Sequence, residues 1–110
     1  MIGYRAIGPP SPVESAAHWA AQTFRQRTEE IAAGRGRIDD ANPGSRVPWS
    51  EVRERFGLTF ADREAFTAAL GVWLTRWKLR SVVSGKVSST EWVKRRNEQK
   101  RRADLRRYGL

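Results

Sequence analysis

The stretch DREAFTAALGVWLTRWKL, residues 62–79, has the strongest helical periodicity in the chain. When it is wound at 3.6 residues per turn, four large apolar residues share one stripe: Phe66, Leu70, Trp73 and Trp77. Thr59 and Asp62 offer a helix N-cap just before it. Further apolar residues widen this face: Val72, Leu74 and Leu79. We therefore expect a central helix that is contacted on two sides, by other helices or by a second copy of the protein.

A second amphipathic helix is predicted over residues 12–33. Ser11 can cap it, Pro12 suits its first position, and Glu14 can complete a capping box, while Gly34 supplies a left-handed stop. Its apolar residues fall within one arc: Val13, Ala17, Ala20, Phe24 and Ile31. Trp19 lies roughly opposite this arc, so we expect it either to bind a partner or to pack under the following loop.

Pro48 opens a third, short helix that ends at Gly57. Its apolar residues recur on one face: Trp49, Val52 and Phe56. With Gly57 in the turn, residues 49–68 resemble a helix-turn-helix pair. Arg53, however, stands where that motif has a small residue, and Asp62 brings negative charge to the start of the groove-facing helix. The alternative is two core helices joined by a tight turn.

The last predicted helix, residues 90–108, begins with a capping box of Ser88 and Glu91 and stops at Gly109. It carries eight basic residues: Lys94, Arg95, Arg96, Lys100, Arg101, Arg102, Arg106 and Arg107. Only three acidic residues oppose them, which leaves a net charge of +5 and little continuous apolar face. We predict that these eight side chains contact nucleic-acid phosphates, since arginine suits bidentate phosphate binding. Such a charge run is also typical of an inert, solvated face.

The composition of the whole chain favours a polyanionic partner. The 110 residues, enough for one domain, carry a formal net charge of +9 and have a pI of about 11.2. Nucleic acid is the favoured partner, DNA before RNA, although positive charge can also serve solubility alone. Three loop arginines are predicted auxiliary contacts: Arg35, Arg37 and Arg46.

The predicted organisation is all-α. It consists of a flexible N-terminal arm (1–11), a helical core domain (12–84) with a mobile loop (34–46), and a basic C-terminal helix (85–110). The core is a small bundle of three amphipathic helices, one helix-turn-helix-like pair among them. Residues 82–88 are predicted as a loop. The expected core residues come from all three helices: Phe24, Ile31, Trp49, Val52, Phe56, Phe66, Leu70, Trp73 and Trp77.

Several classes of function are not expected. The chain has no cysteine and a single histidine, His18, which we predict to be solvated, so we expect no metal site, no cofactor and no enzyme. The longest nearly uncharged stretch, residues 65–75, is too short to span a membrane, and residues 1–12 lack the apolar run of a signal peptide. The expected location is cytoplasmic.

Two segments resemble a known family. EEIAAG (29–34) and VPWSEVRER (47–55) are similar to the segment of bacterial addiction-module antitoxins that engages the cognate toxin, although a long loop separates them here. Residues 92–110, ending RRYGL, are similar in composition to the basic leader of ribbon-helix-helix antitoxins. The resemblance implies that Trp49, with the residues on its helix face, binds a partner, which competes with its assignment to the core.

Two functional hypotheses follow. The first is a non-catalytic nucleic-acid-binding protein with limited sequence selectivity, because phosphate contacts do not read bases. The second is a protein-binding module that uses Trp19 and the broad helix around Trp73. It would be an antitoxin-like inhibitor or a subunit of a helical assembly, of the kind that phages and plasmids encode, and it includes the case of a homo-oligomer.

Overall fold

The computed structural model describes residues 11–36 and 42–109. In these residues the chain is all-helical, with no β-strand, which confirms the predicted fold class. There are five α-helices: α1 (Pro12–Ala32), α2 (Trp49–Phe56), α3 (Arg63–Arg76), α4 (Arg80–Val83) and α5 (Ser89–Arg107). Two short 3-10 turns, Pro43–Ser45 and Phe60–Asp62, precede α2 and α3. The predicted arm, apart from Ser11, and residues 37–41 of the predicted mobile loop lie outside the described residues.

The helix boundaries follow from local capping chemistry. The Ser11 hydroxyl accepts a hydrogen bond from the backbone N–H of Glu14 at 3.1 Å, and the Ser88 hydroxyl accepts one from the N–H of Glu91 at 3.1 Å. These bonds satisfy N–H groups that have no partner within the helix. Gly57 ends α2 in the left-handed conformation, at φ 64°. The predicted starts of α1 and α5 and the predicted stop of α2 are therefore confirmed.

The first core cluster is built on a face of small residues on α1. Ala16, Ala17 and Ala20 have no exposed surface, and α2, α3 and the turn between them cover this face with Val52, Leu58 and Phe66. Because alanine has no side chain beyond Cβ, it leaves room for larger side chains from the opposing elements. Aromatic residues close the rim of this cluster: Trp19, Trp49, Phe56 and Trp73.

Residues 84–88 lie outside any helix, as predicted for the loop at residues 82–88, but residues 82 and 83 are helical and belong to a second core cluster. It consists of four buried residues: Phe24, Leu79, Val82 and Trp92. Residues 80–83 form α4, and the side chains of Leu79 and Val82 are fully buried. One helical turn is too short to show a 3.6-residue period in the sequence, so the pattern concealed it. Trp92, at 6% exposure, carries the packing across the predicted boundary between residues 84 and 85.

Arg46 connects the chain before α2 to α1. Its side chain is 3% exposed, its Nη1 donates to the Thr28 hydroxyl at 3.0 Å, and its guanidinium lies 5.4 Å from the Phe24 ring centroid. Its carbonyl oxygen accepts from Arg27, which also makes a bidentate pair with Glu51 at 3.1 and 3.2 Å. These bonds hold α1, α2 and the preceding turn together.

Among residues 11–36 and 42–109, we find no helix that combines the length and the apolar character needed to cross a bilayer.

We predict that Leu79→Ala destabilises the protein by about 2–5 kcal/mol, because it opens a cavity in the second core cluster. Val72→Ala on α3 is the matched control, since Val72 is 59% exposed, and it should change the free energy of unfolding by less than about 0.5 kcal/mol. Urea denaturation followed by circular dichroism measures both. Equal effects of the two substitutions would contradict the second cluster.

Candidate nucleic-acid interface

The C-terminal part of α5 is exposed on all sides. None of residues 97–109 is buried, and the apolar residues Leu105 and Tyr108 are 42% and 73% exposed. We call residues 97–109 the basic tail. Five of the eight predicted phosphate-binding residues lie in it: Lys100, Arg101, Arg102, Arg106 and Arg107. Their charges are therefore in water, where a large polyanion can reach them.

Three of the eight predicted residues make ion pairs. Arg95 and Arg102 pair with the glutamates four residues before them, Glu91 at 3.1 Å and Glu98 at 2.9 Å, on the exposed surface of α5. Arg96 pairs with Glu29 of α1. In the part of the chain that the structure describes, the other five have no carboxylate within ion-pair distance: Lys94, Lys100, Arg101, Arg106 and Arg107. Most of the charge of α5 is thus not neutralised by the fold.

A concave site lies where α5 leaves the body of the protein. This basic cleft, of about 550 Å³, is formed by α1, the end of α3, α4 and the first half of α5. Five cations line it: Arg25, Arg76, Lys78, Arg95 and Arg96. No acidic residue is among its described lining residues. Low-dielectric walls around charges of one sign focus the field, so the cleft attracts anions.

Two tryptophans form the apolar part of the basic cleft, and each carries an arginine on its ring. The guanidinium carbon of Arg25 lies 4.0 Å from the Trp77 ring centroid, and that of Arg96 lies 4.9 Å from Trp92. These distances are typical of cation–π contacts. The arginines of the cleft are therefore held in place by stacking as well as by ion pairs.

The basic cleft and the basic tail share one face of α5. Trp92, Arg95, Gln99, Arg102 and Arg106 follow each other at spacings of three or four residues, which places them on one side of the helix. The first three line the cleft, and the last two continue the same stripe into the tail. From Arg95 to Arg106 the stripe is about 16 Å long, at 1.5 Å per residue.

The three predicted auxiliary arginines have different positions. Arg35 is exposed just beyond α1, and Arg37 lies outside the described residues. Arg46 is buried against Thr28 and Phe24, so its guanidinium is not exposed to a ligand, and we leave it out of the interface. Nothing in the sequence around Arg46 distinguishes it from a surface arginine, because its partners lie 18 or more residues away.

Sequence reasoning did not identify the cleft residues Arg25, Arg76 and Lys78. They come from α1 and the end of α3, and only tertiary packing brings them next to α5. A signal was present in the repeated placement of arginine near tryptophan, as at Arg76 and Trp77. Periodicity arguments treat such arginines as solvated positions and therefore miss their convergence.

The two predicted partner-binding tryptophans are both partly buried at the rim of the first core cluster. Trp49 packs on Phe66 with ring centroids 5.3 Å apart, and its indole N–H is buried without an acceptor among the described residues. Trp19 makes an edge contact with Phe56 at 5.8 Å and lines a groove of about 660 Å³ between α1 and α3. His18, predicted to be solvated, instead packs on Trp73 at 4.4 Å.

Comparison with protein-family models, curated proteins and solved structures finds no match to this chain. The resemblance of residues 29–34 and 47–55 to antitoxins therefore stays a hypothesis. Within residues 11–36 and 42–109, no three His, Asp or Glu side chains are grouped so that they could hold a metal ion.

We predict that the double substitution Glu91→Gln and Glu98→Gln raises the affinity for polyanions by releasing Arg95 and Arg102. The free energy of unfolding should fall by less than about 1 kcal/mol, because exposed i,i+4 ion pairs contribute little. The measurement is the salt concentration at which the protein elutes from heparin. Glu54→Gln with Glu64→Gln, two exposed positions on α2 and α3, gives a control of identical net charge. If both double variants elute at the same salt concentration, the ion pairs of Arg95 and Arg102 do not affect polyanion binding.

Proposed function

We propose that this protein is a non-catalytic nucleic-acid-binding protein whose α5 contacts the phosphate backbone. One observation carries the proposal: five cations of α5 without carboxylate partners in the described chain continue directly into a cleft lined by five more basic side chains. Arg95 and Arg96 belong both to the eight basic residues of α5 and to the five cations of the cleft, and so link the tail to the body. Neutralising phosphates releases condensed counterions, which is the main source of affinity for such a surface.

Limited sequence selectivity is part of the proposal. Eight of the fourteen exposed residues of α5 are arginine or lysine, and these side chains bind phosphate oxygens wherever they occur along a strand. DNA is the favoured ligand, and a cytoplasmic location stays a prediction of the sequence. Discrimination between DNA and RNA would need contacts to the sugar 2′-hydroxyl.

In this proposal the helix pair α2 and α3 is a scaffold. It does not enter a DNA groove to read bases. A helix-turn-helix would present the first turn of α3 to DNA, but Asp62 and Glu64 lie there and would repel phosphate. In the same sense, the three amphipathic helices α1, α2 and α3 serve as a small bundle on which α5 is mounted. Arg63 stacks over Trp49 at 5.8 Å, which gives this arginine a structural role.

The proposal is tested by neutralising the tail. A variant with glutamine at Lys100, Arg101, Arg106 and Arg107 lowers the formal net charge from +9 to +5. We expect weaker binding to random-sequence DNA at every salt concentration. The slope of log affinity against log salt should shrink by roughly one for each phosphate contact that is lost. Fluorescence anisotropy of labelled DNA at several salt concentrations measures both quantities.

The matched control neutralises four exposed cations on the body: Arg53, Arg63, Arg80 and Lys86. Because Arg63 stacks over Trp49, circular dichroism first verifies that this variant folds. It has the same net charge as the tail variant. If both variants lose affinity equally, binding reflects total charge and not the tail, and the proposal for α5 fails. Failure of the unaltered protein to bind DNA or RNA at low salt would end the proposal altogether.

A second candidate function is a protein-binding module of the antitoxin-like or assembly-subunit type. The observation that favours it is the groove between α1 and α3, where Trp19, Phe56, Val72 and Trp73 expose apolar surface next to one another. Exposed apolar patches of this kind occur where proteins meet partners. Val72, which lines the groove, is 59% exposed, so a protein partner can contact this patch directly.

The two candidates predict different behaviour of the tagged protein recovered from its native cell. If α5 binds nucleic acid, co-purifying material is lost on nuclease treatment and in the tail variant. If the groove binds a protein, the partner survives nuclease and is lost in Val72→Glu, a substitution at an exposed position that should leave the fold intact. Circular dichroism of Val72→Glu confirms folding before the comparison is made.

A further inference from the structure

We infer that the basic cleft binds an unpaired nucleotide of a single strand, with its base against the Trp77 and Arg25 stack and its phosphate at Lys78 and Arg76. This inference rests on the proposed function and narrows it. It adds that the protein prefers single strands to duplexes, and that the basic cleft is the site responsible for this preference.

The shape of the cleft favours a splayed base. Its volume, about 550 Å³, lies within the roughly 300–1,000 Å³ of ordinary ligand pockets. In a duplex the bases are paired and stacked, so a concave site lined by indoles cannot reach their faces. An unpaired base can enter it and stack on an aromatic ring or on a guanidinium plane, as single-strand-binding proteins require.

The charges in the cleft fit the phosphate that accompanies such a base. Arg95 and Arg96 already have glutamate partners, Glu91 and Glu29. Arg76 and Lys78 have no carboxylate within ion-pair distance in the described part of the chain. Arg25 has none there either, but its guanidinium stacks on the Trp77 ring and is assigned to the base. Arg76 and Lys78, at the end of α3, are therefore assigned to the phosphate next to that ring.

The backbone at Lys78 gives an independent reason to assign this residue a role. Lys78 has φ 58°, and no other described residue except glycine has a positive φ. The Lys78 N–H donates to the Thr75 carbonyl at 3.1 Å and the Leu79 N–H to the Leu74 carbonyl at 2.8 Å, which together form a Schellman motif. Glycine usually occupies this position because it alone adopts it without strain. A lysine here carries a cost in stability relative to glycine, and this residue lines the cleft.

The stripe on α5 supplies a path for the rest of the strand. Arg102 and Arg106 continue the cleft-lining face of α5 into the basic tail, so the neighbouring phosphates meet cations in sequence. A strand that enters the cleft can therefore follow α5 for about 16 Å, at 1.5 Å per residue.

The first test uses labelled oligothymidylate of roughly 12 nucleotides and a random duplex of the same length. Trp77→Leu removes the stacking ring but keeps an apolar residue, and it should weaken oligothymidylate binding by about tenfold while leaving duplex binding unchanged. Trp77→Phe keeps a ring and should restore most of the affinity. Thermal denaturation and circular dichroism verify that both variants fold. An abasic strand, which offers phosphates without bases, should bind all three proteins alike.

The second test separates charge from strain at Lys78. Lys78→Gln and Lys78→Gly should both weaken oligothymidylate binding by several-fold and reduce the salt slope by about 0.7, the value for one phosphate of a single strand. Only Lys78→Gly relieves the left-handed strain, and its Tm should rise by roughly 4 °C. Lys78→Arg should bind like the unaltered protein. A Lys78→Gly protein that is more stable and binds less would demonstrate the exchange of stability for binding.

The outcomes distinguish this inference from the proposed function. If the tail variant loses affinity but Trp77→Leu and Lys78→Gln do not, the tail binds nucleic acid and the cleft is not a nucleotide site. If thymidine monophosphate competes as tightly as the oligonucleotide, the cleft takes free nucleotides, and the assignment to a strand is overturned. If neither single strand nor duplex binds at low salt, the proposed function itself is wrong.

Discussion

Each tryptophan of this chain lies under an arginine. The five guanidinium groups of Arg25, Arg55, Arg63, Arg76 and Arg96 are 4.0 to 5.8 Å from the indole centroids. Tryptophan is rarely buried completely, and a small domain has too little interior to enclose five of them. The rings therefore pack one part against the core and leave another part at the surface, where an arginine covers it. As a result, five of the arginines that make the surface positive also cover the tryptophans that close the core.

The direction of α5 depends on how this helix is attached to the body of the protein. α1 and α3 contribute to both clusters, and α5 is fixed to them by Trp92 in the second cluster and by the Arg96 pair with Glu29. The buried first turns of α5 orient the exposed remainder, so the direction of the basic tail is a property of the core. The buried part of α5 therefore includes Trp92, and the exposed part begins within the same helix.

The features that the sequence predicted correctly are those that depend on residues close together along the chain. Helix starts at Ser11 and Ser88 and the stop at Gly57 were predictable, because capping involves residues three or four positions apart. α4, the burial of Arg46 and the cleft were not, since each depends on residues that are distant along the chain. Lys78 illustrates the difficulty: its left-handed backbone is a strong structural feature, yet a lysine gives no sign of it in a sequence. The composition of α5 identified it as a basic helix. The residues of α1 and α3 that form the cleft beside it were not identified from the sequence.

The helical state of α5 has a consequence for the kinetics of binding. Its 19 residues are already wound before any ligand arrives, and its glutamates at i−4 hold Arg95 and Arg102 in place. If α5 binds nucleic acid as we propose, association exchanges counter-charges on a preformed helix and avoids the entropy loss of a segment that folds on contact. On the same proposal, the positive field of the protein steers its encounter with a polyanion, so the on-rate falls as ionic strength rises. The proposed surface then binds, releases and rebinds along a long polymer while α5 stays helical.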